Sequence, residues 1–167
     1  MKALTLYQPW ATLVAIGAKR IETRSWSTNY RGPLAIHAGK NRRYINKSSD
    51  HCVWDVDPFY IALADGGAIS KFNATEDEFT IGCIVATCEL VGCYQIDIND
   101  LRPKSMEGWL VAGWLVAGKT WGRTPQELAF GDYTIGRYMW FLNKVKKLEE
   151  PIPAKGAMGL WEWNDER

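Results

Sequence analysis

Lys19, Arg20, Glu22 and Arg24 fall within six positions of one another, next to Trp10 and Trp26. Cations and a carboxylate beside indole rings suit a polar, planar ligand: the rings stack on it and the charges meet its oxygens. On an extended segment Glu22 and Arg24 point the same way. They form either a surface ion pair of small energetic value or a joint ligand-binding pair. Glu89 is the lone charge in the apolar run GCIVATCELVGC. Buried without a partner it would be costly. It is therefore either a carboxylate capping an Arg in the core or a general acid or base, with Lys19 as candidate partner. His37 closes an apolar segment, where a lone His is more often structural than catalytic; His51 is assigned no role. Lys40, Arg42, Arg43 and Lys47 make a basic run, by default a solvated face and otherwise a set of phosphate contacts. Near the other end, Lys155-Gly156 follows Pro151 and Pro153, placing a charge where glycine lets a backbone approach a ligand closely. No Walker loop, dinucleotide fingerprint, Ser-His-Asp or Cys-His arrangement is legible.

The elements that must position these groups read as follows. Lys2–Tyr7 is a strand ended by Gln8-Pro9. Pro9 suits the start of a helix, which Gly17 ends in a left-handed conformation. Ile21–Arg24 and Leu34–Ala38 are strands separated by turn-like sequence, and the polar, basic stretch 39–50 is an exposed loop or a helix start. A helix follows Pro58, and Asp65–Thr80 is loop. Ile81–Cys93, rich in β-branched residues, is the clearest strand. The tandem GWLVA copies of Gly108–Gly118 are too few for a repeat architecture and read as a buried strand or helix. Thr124-Pro-Gln-Glu127 opens a helix with Thr as cap and Glu three residues on. Tyr133–Val145 is a strand, Glu150–Pro153 is extended, and Leu160–Trp163 is the last strand. Many strands, few helices and no βαβ rhythm point to an α+β fold: a small, closed or nearly closed mixed β-barrel with peripheral helices.

Composition bounds what these groups serve. The chain has 167 residues, which argues for one domain over 1–167, and it is 47% hydrophobic, as a folded protein is. A net charge of +1 argues against wrapping long duplex DNA by bulk electrostatics, although a local basic groove remains compatible with it. Nine Trp, seven Tyr and five Phe exceed what a core of this size needs, so some rings are expected at a binding surface. The four cysteines contain no CxxC pair. On a strand over 82–93, Cys83 and Cys93 face one side and Cys88 the other, so they cannot share a metal. They read as reduced core residues of a cytoplasmic protein. No metal, no cofactor and no membrane association is expected; no run reaches the roughly 20 apolar residues that span a bilayer, and no secretion signal opens the chain.

Leu6-Tyr7-Gln8-Pro9-Trp10-Ala11, Gly17-x-Lys19-x-x-Glu22-x-Arg24-Ser25-Trp26, Arg31-Gly32, the strand to His37, the Gly82–Cys93 strand and Pro151-Ile-Pro-x-Lys155-Gly156 together resemble the ASCH domain family, in the family's order. Residues 41–80 and 94–133 carry little of the likeness. The resemblance implies a PUA-like fold: a small mixed barrel with helices around a cleft. It also implies RNA binding, or hydrolysis of a small modified nucleoside. Among the N4-acetylcytidine amidohydrolases of the family, Lys19 matches the functional Lys and Glu89 the Glu. Their nucleophilic Thr falls at Glu22, and Thr23 beside it would point the other way. The first expectation is therefore a cleft of Gln8, Trp10, Lys19, Glu22, Arg24, Trp26, His37, Lys155 and Gly156 that binds RNA, single-stranded DNA or a small nucleotide-like ligand. In it Trp10 or Trp26 stacks a base. The second is a hydrolase with Lys19 and Glu22 or Glu89 as catalytic groups. A third is a protein-interaction domain with a vestigial cleft.

Overall fold

The N-terminal segment Lys-Ala-Leu-Thr-Leu, with Ala3, Leu4 and Leu6 buried, becomes β1, Lys2–Leu6, which lies between two neighbours. On one side it pairs in parallel with β3, Gly32–Ala38, in the register Lys2↔Leu34 to Leu6↔Ala38. On the other it pairs antiparallel with β8, Leu160–Glu162. The register sets Lys2 opposite Glu162, and their side chains form a 2.6 Å ion pair. The computed structural model describes residues 1–97, 113–116, 119–122 and 124–164. Among them, six strands form one mixed sheet of order β2-β7-β4-β3-β1-β8 and two form a separate antiparallel pair. Short helices accompany the sheet, so the expected α+β class holds.

Contacts within the chain divide it into two compact units. Unit 1 comprises Met1–Lys19, Pro33–Glu89 and Lys144–Arg167. It holds β1, β3 and β8, the first part of β4 (Cys83–Gln95) and the second part of β7 (Tyr138–Pro153). Ala3, Ala35, Ile84 and Trp163 form a buried cluster there, with Leu148, Ile152 and Trp161 packed on it. Helix α1, Trp10–Ala15, starts after Pro9 and gives way to Gly17, whose φ of 77° is the left-handed turn expected of it. Helix α2, Phe59–Asp65, likewise starts after Pro58 and buries Phe59, Ala62 and Leu63. Its end lies close to α1: a Cβ at Gly66 would stand 2.6 Å from Ile16 Cδ1.

Unit 2 comprises Arg20–Gly32 and Leu90–Asn143. Here β2, Ile21–Arg24, pairs antiparallel with β7, Ile21 opposite Phe141 and Arg24 opposite Tyr138. Ile21, Ile96, Met139 and Phe141 form its core. β5, Gly113–Val116, and β6, Lys119–Gly122, make the separate pair. Helix α3, Pro125–Ala129, is capped by the Thr124 hydroxyl, which accepts from Glu127 N–H at 3.0 Å.

Two expectations change. The strand expected over 133–145 begins at Tyr138 and runs on to Pro153. Its start is delayed by a turn in which the Asp132 carboxylate accepts from Thr134 N–H and Oγ1–H, and Gly136 takes a φ of 92°. The absence of βαβ rhythm hid the parallel β1–β3 pair, because the segment joining its members contains a strand, β2, that belongs elsewhere in the sheet. The second GWLVA copy is a strand; the first lies outside the described residues.

Candidate functional site

The residues singled out in the sequence divide between the units, and each unit is built from its own contacts. In unit 1, Lys19 is among the largest fully buried side chains, and its backbone N–H bonds to Leu13 O at 3.0 Å, closing the turn after α1. Burial of an ammonium is tolerated only with polar compensation, which makes this a constrained position. Gln8 is also fully buried. Its amide donates to Thr80 O at 2.6 Å, and its carbonyl accepts from Thr12 N–H at 3.1 Å and Thr12 Oγ1–H at 2.9 Å. Gln8 thus satisfies a donor in the first turn of α1, which a helix leaves without an internal partner.

His37 sits where three strands meet. Nε2 lies 3.1 Å from Ala154 O and Nδ1 3.2 Å from Thr5 Oγ1, while the ring stands edge-on to Trp161. The Ala154 carbonyl accepts from Nε2–H, while Thr5 Oγ1 beside Nδ1 donates its own proton to Ala157 O at 3.0 Å and accepts from Trp161 Nε1–H at 3.1 Å. Burial pushes the His37 pKa below its usual value; the Ala154 bond opposes this, and the nearby Lys40 charge adds to it. Gly156 lies against the same ring: a Cβ there would be 2.3 Å from Cε1 and 2.5 Å from Nδ1. His37 and Gly156, both placed in the expected cleft, are therefore in contact. Lys155 between them in sequence points to solvent.

Glu89 departs from expectation in its partner. Its carboxylate meets Lys144 Nζ at 3.0 Å, both side chains being well exposed, instead of Lys19. From Ala86 to Cys93 burial alternates along β4, with Cys88 buried and Glu89 and Cys93, like Cys83, on the half-buried side. Desolvation first, then the Glu89 charge, push the Cys88 thiol up to about 12, so it is a core group and not a nucleophile. All four cysteines are free.

In unit 2, Glu22 Oε1 and Arg24 Nε stand 3.1 Å apart on one face of β2, the side-by-side placement that period-two spacing predicts. Trp26 packs edge-on against Trp140 at 4.6 Å, and Trp140 Nε1–H donates to Trp26 O. The Thr23 hydroxyl is occupied in accepting from Asp132 N–H at 2.9 Å.

Two groups of residues escaped the sequence reading. Glu127 was read as the distal partner of a helix cap. Its carboxylate instead accepts from Arg20 N–H at 3.1 Å and Ile21 N–H at 3.0 Å, 106 and 107 positions away in sequence. The cap pattern was the only signal, and it pointed to the wrong donor. The second group is a string of rings in unit 1. Tyr7, half exposed, lies 5.4 Å from Tyr44, which meets the edge of Trp10 at 5.0 Å; Trp10 in turn meets Phe59 at 5.8 Å. Arg43 stands 5.6 Å over the Tyr44 ring, and its guanidinium donates to His51 Nε2. Tyr44 sits inside the basic run already flagged, so the interleaving of ring and cation was the available clue.

The described residues contain no group of His, Cys, Asp and Glu able to hold a metal ion, and no helix long and apolar enough to cross a membrane. The mixed sheet with short helices is an α+β fold, the class to which PUA-like domains belong. The ASCH domain family model matches residues 4–152, and the chain belongs to that family. It is 33% identical to activating signal cointegrator 1 of Mus musculus over 96% of this chain and 24% of that protein. It is 33% identical to the Homo sapiens protein of the same name over 54% of this chain and 14% of that protein. The chain spans about a quarter of the length of the mouse relative.

Proposed function

We propose that the protein binds RNA or another single-stranded nucleic acid. The observation that carries this reading is the Tyr7–Tyr44–Trp10 string of rings with Arg43 over Tyr44, set in the basic run. Every base has a π-face, so exposed rings hold a single strand with little regard to sequence, and neighbouring cations meet its phosphates. Membership of the ASCH family, generally linked to RNA binding, supports the same reading. Lys40, exposed in unit 1, and Lys155 are further cations proposed to meet phosphate or base oxygens, as is Arg24 in unit 2. Lys19, Gln8, Trp26, His37 and Gly156 hold these surfaces in place. The four free thiols fit a reducing, cytoplasmic setting.

Anisotropy titration of labelled eight-nucleotide RNA and DNA strands tests the reading. Binding is expected at low salt, and Tyr44→Ala or Arg43→Ala is expected to weaken it about tenfold, since stacking contributes about 1–3 kcal/mol per base. No binding at low salt, or variants indistinguishable from wild type, removes the proposal.

A second reading, hydrolysis of a modified nucleoside, draws on the burial of Lys19 and Glu22. Incubation with N4-acetylcytidine and analysis of the products decides it: intact substrate leaves binding alone.

A further inference from the structure

Unit 1 carries an open, solvent-facing groove of about 530 Å³ whose lining contains neither Tyr7 nor Tyr44 and shares with the basic run only Lys47. Its volume falls in the range of small-ligand sites, roughly 300–1,000 Å³. Lys47, Trp54, Asp55, Tyr60, Phe72 and Asn73 line it. We infer that this cavity is a pocket for a guanine base, free or within a strand.

The walls of this open groove are held by specific contacts. Trp54 is fully buried, with Nε1–H donating to Ile45 O at 2.7 Å and its ring edge-on to Phe79. Lys47 Nζ stands 4.7 Å over that ring and donates to Ala74 O at 3.2 Å. The loop on the other side is pinned at several points. The Glu78 carboxylate accepts from the N–H groups of Ser70 and Thr75, which hold its pKa below the usual range, and the Tyr60 hydroxyl donates to Lys71 O. Between these ties Phe72 is 94% exposed, its ring presented to solvent at the cavity. A pinned backbone that exposes a phenyl ring offers a stacking face at low entropic cost.

The polar groups choose the base. Asp55 is exposed and, among the described residues, takes only a 3.6 Å contact from the Cys52 thiol, so its oxygens are available as acceptors. Lys47 has three donors, of which Ala74 O uses one. A carboxylate accepting two bonds and an ammonium donating one match guanine, whose N1–H and N2–H lie side by side next to the O6 acceptor. Adenine sets an acceptor beside its one exocyclic amine, cytosine offers one amine beside two acceptors, and uracil offers a single N–H between two carbonyls. Only guanine gives the carboxylate two adjacent donors.

This goes beyond the binding of an arbitrary strand, because free nucleotides test it. The full-length chain is titrated with GMP, AMP and UMP by calorimetry, and with labelled U8 and with U8 carrying two central guanines by anisotropy. GMP is expected to bind at least about tenfold tighter than AMP or UMP, the discrimination a bidentate contact supplies. Asp55→Asn should abolish that preference, and Phe72→Ala should weaken all nucleotides; neither side chain is packed in the core. Equal affinity for the three nucleotides, or unchanged GMP binding in both variants, overturns the pocket. Strands that bind without preference for guanine overturn it while leaving the broader reading intact. GMP binding without strand binding upholds the pocket and removes the broader reading. Silence in every titration removes both.

Discussion

At the scale of single residues, His37 shows how a strand end becomes a joint. Its position at the close of an apolar strand was legible, since Leu34–Ala38 is a short, mostly apolar run, and all five of its residues are buried. Its partners were not: Ala154 lies 117 residues away, and nothing local marks Gly156 as the glycine that must pack on the ring. The joint has a pH signature. Burial lowers the folded-state pKa of His37 below 6.5, so the unfolded chain takes up its proton first as pH falls. The neutral ring's contribution to stability is present above about 6.5 and is lost as pH drops through the folded pKa. The carboxylates held low by hydrogen bonds, Asp132, Glu78 and Glu162, give way only in more acidic solution. Urea unfolding at pH 7.5 and pH 5.5 should therefore show a loss of stability that His37→Gln lacks. An equal loss in that variant would assign the effect to other groups.

At the scale of elements, local sequence placed most strands and all three Pro-started helices, because proline, left-handed glycine and β-branched runs act within a few residues. What joins elements was hidden, and Glu127 is the instance. α3 has five residues, too few to be stable alone, so its place depends on tertiary contacts. Thr124 caps it, and its own Glu127 turns away to satisfy two N–H groups at the start of β2. A short helix and a short strand each supply what the other lacks. Glu127→Ala leaves Arg20 and Ile21 N–H without their carboxylate inside the protein and is expected to cost about 1.5–3 kcal/mol, the range for bonds to a charged acceptor. Glu127→Gln keeps the acceptor oxygen and should cost less. Chemical denaturation gives the size, and hydrogen exchange at the Arg20 and Ile21 amides gives the place. Unchanged protection of those amides in Glu127→Ala would show that the carboxylate does not hold them.

At the scale of the whole molecule, the charge balance that excluded wrapping of a duplex also sets how a single strand is held. The chain carries a net charge of +1, and its basic run offers four cations, of which Arg42 is already paired with Asp77 at 3.2 Å. Each phosphate contact on a single strand contributes about −0.7 to the slope of log K against log salt, so three or four contacts give about −2 to −3. That is shallow for a nucleic-acid binder, and it leaves stacking on Tyr7 and Tyr44 to supply the rest. The family motif made this division visible only in part. The likeness sits at both ends of the chain and in β4, whereas Tyr44, Arg43 and the Phe72 loop lie in 41–80, where the motif is silent. Titrations from 50 to 300 mM salt, roughly the range over which such slopes are measured, should separate the two contributions. Arg43→Ala should flatten the slope by about 0.7, whereas Tyr44→Ala should lower affinity by the same factor at every salt concentration. A wild-type slope near −7, as ten contacts would give, would mean that charge and not stacking holds the strand, and the rings would then be packing alone.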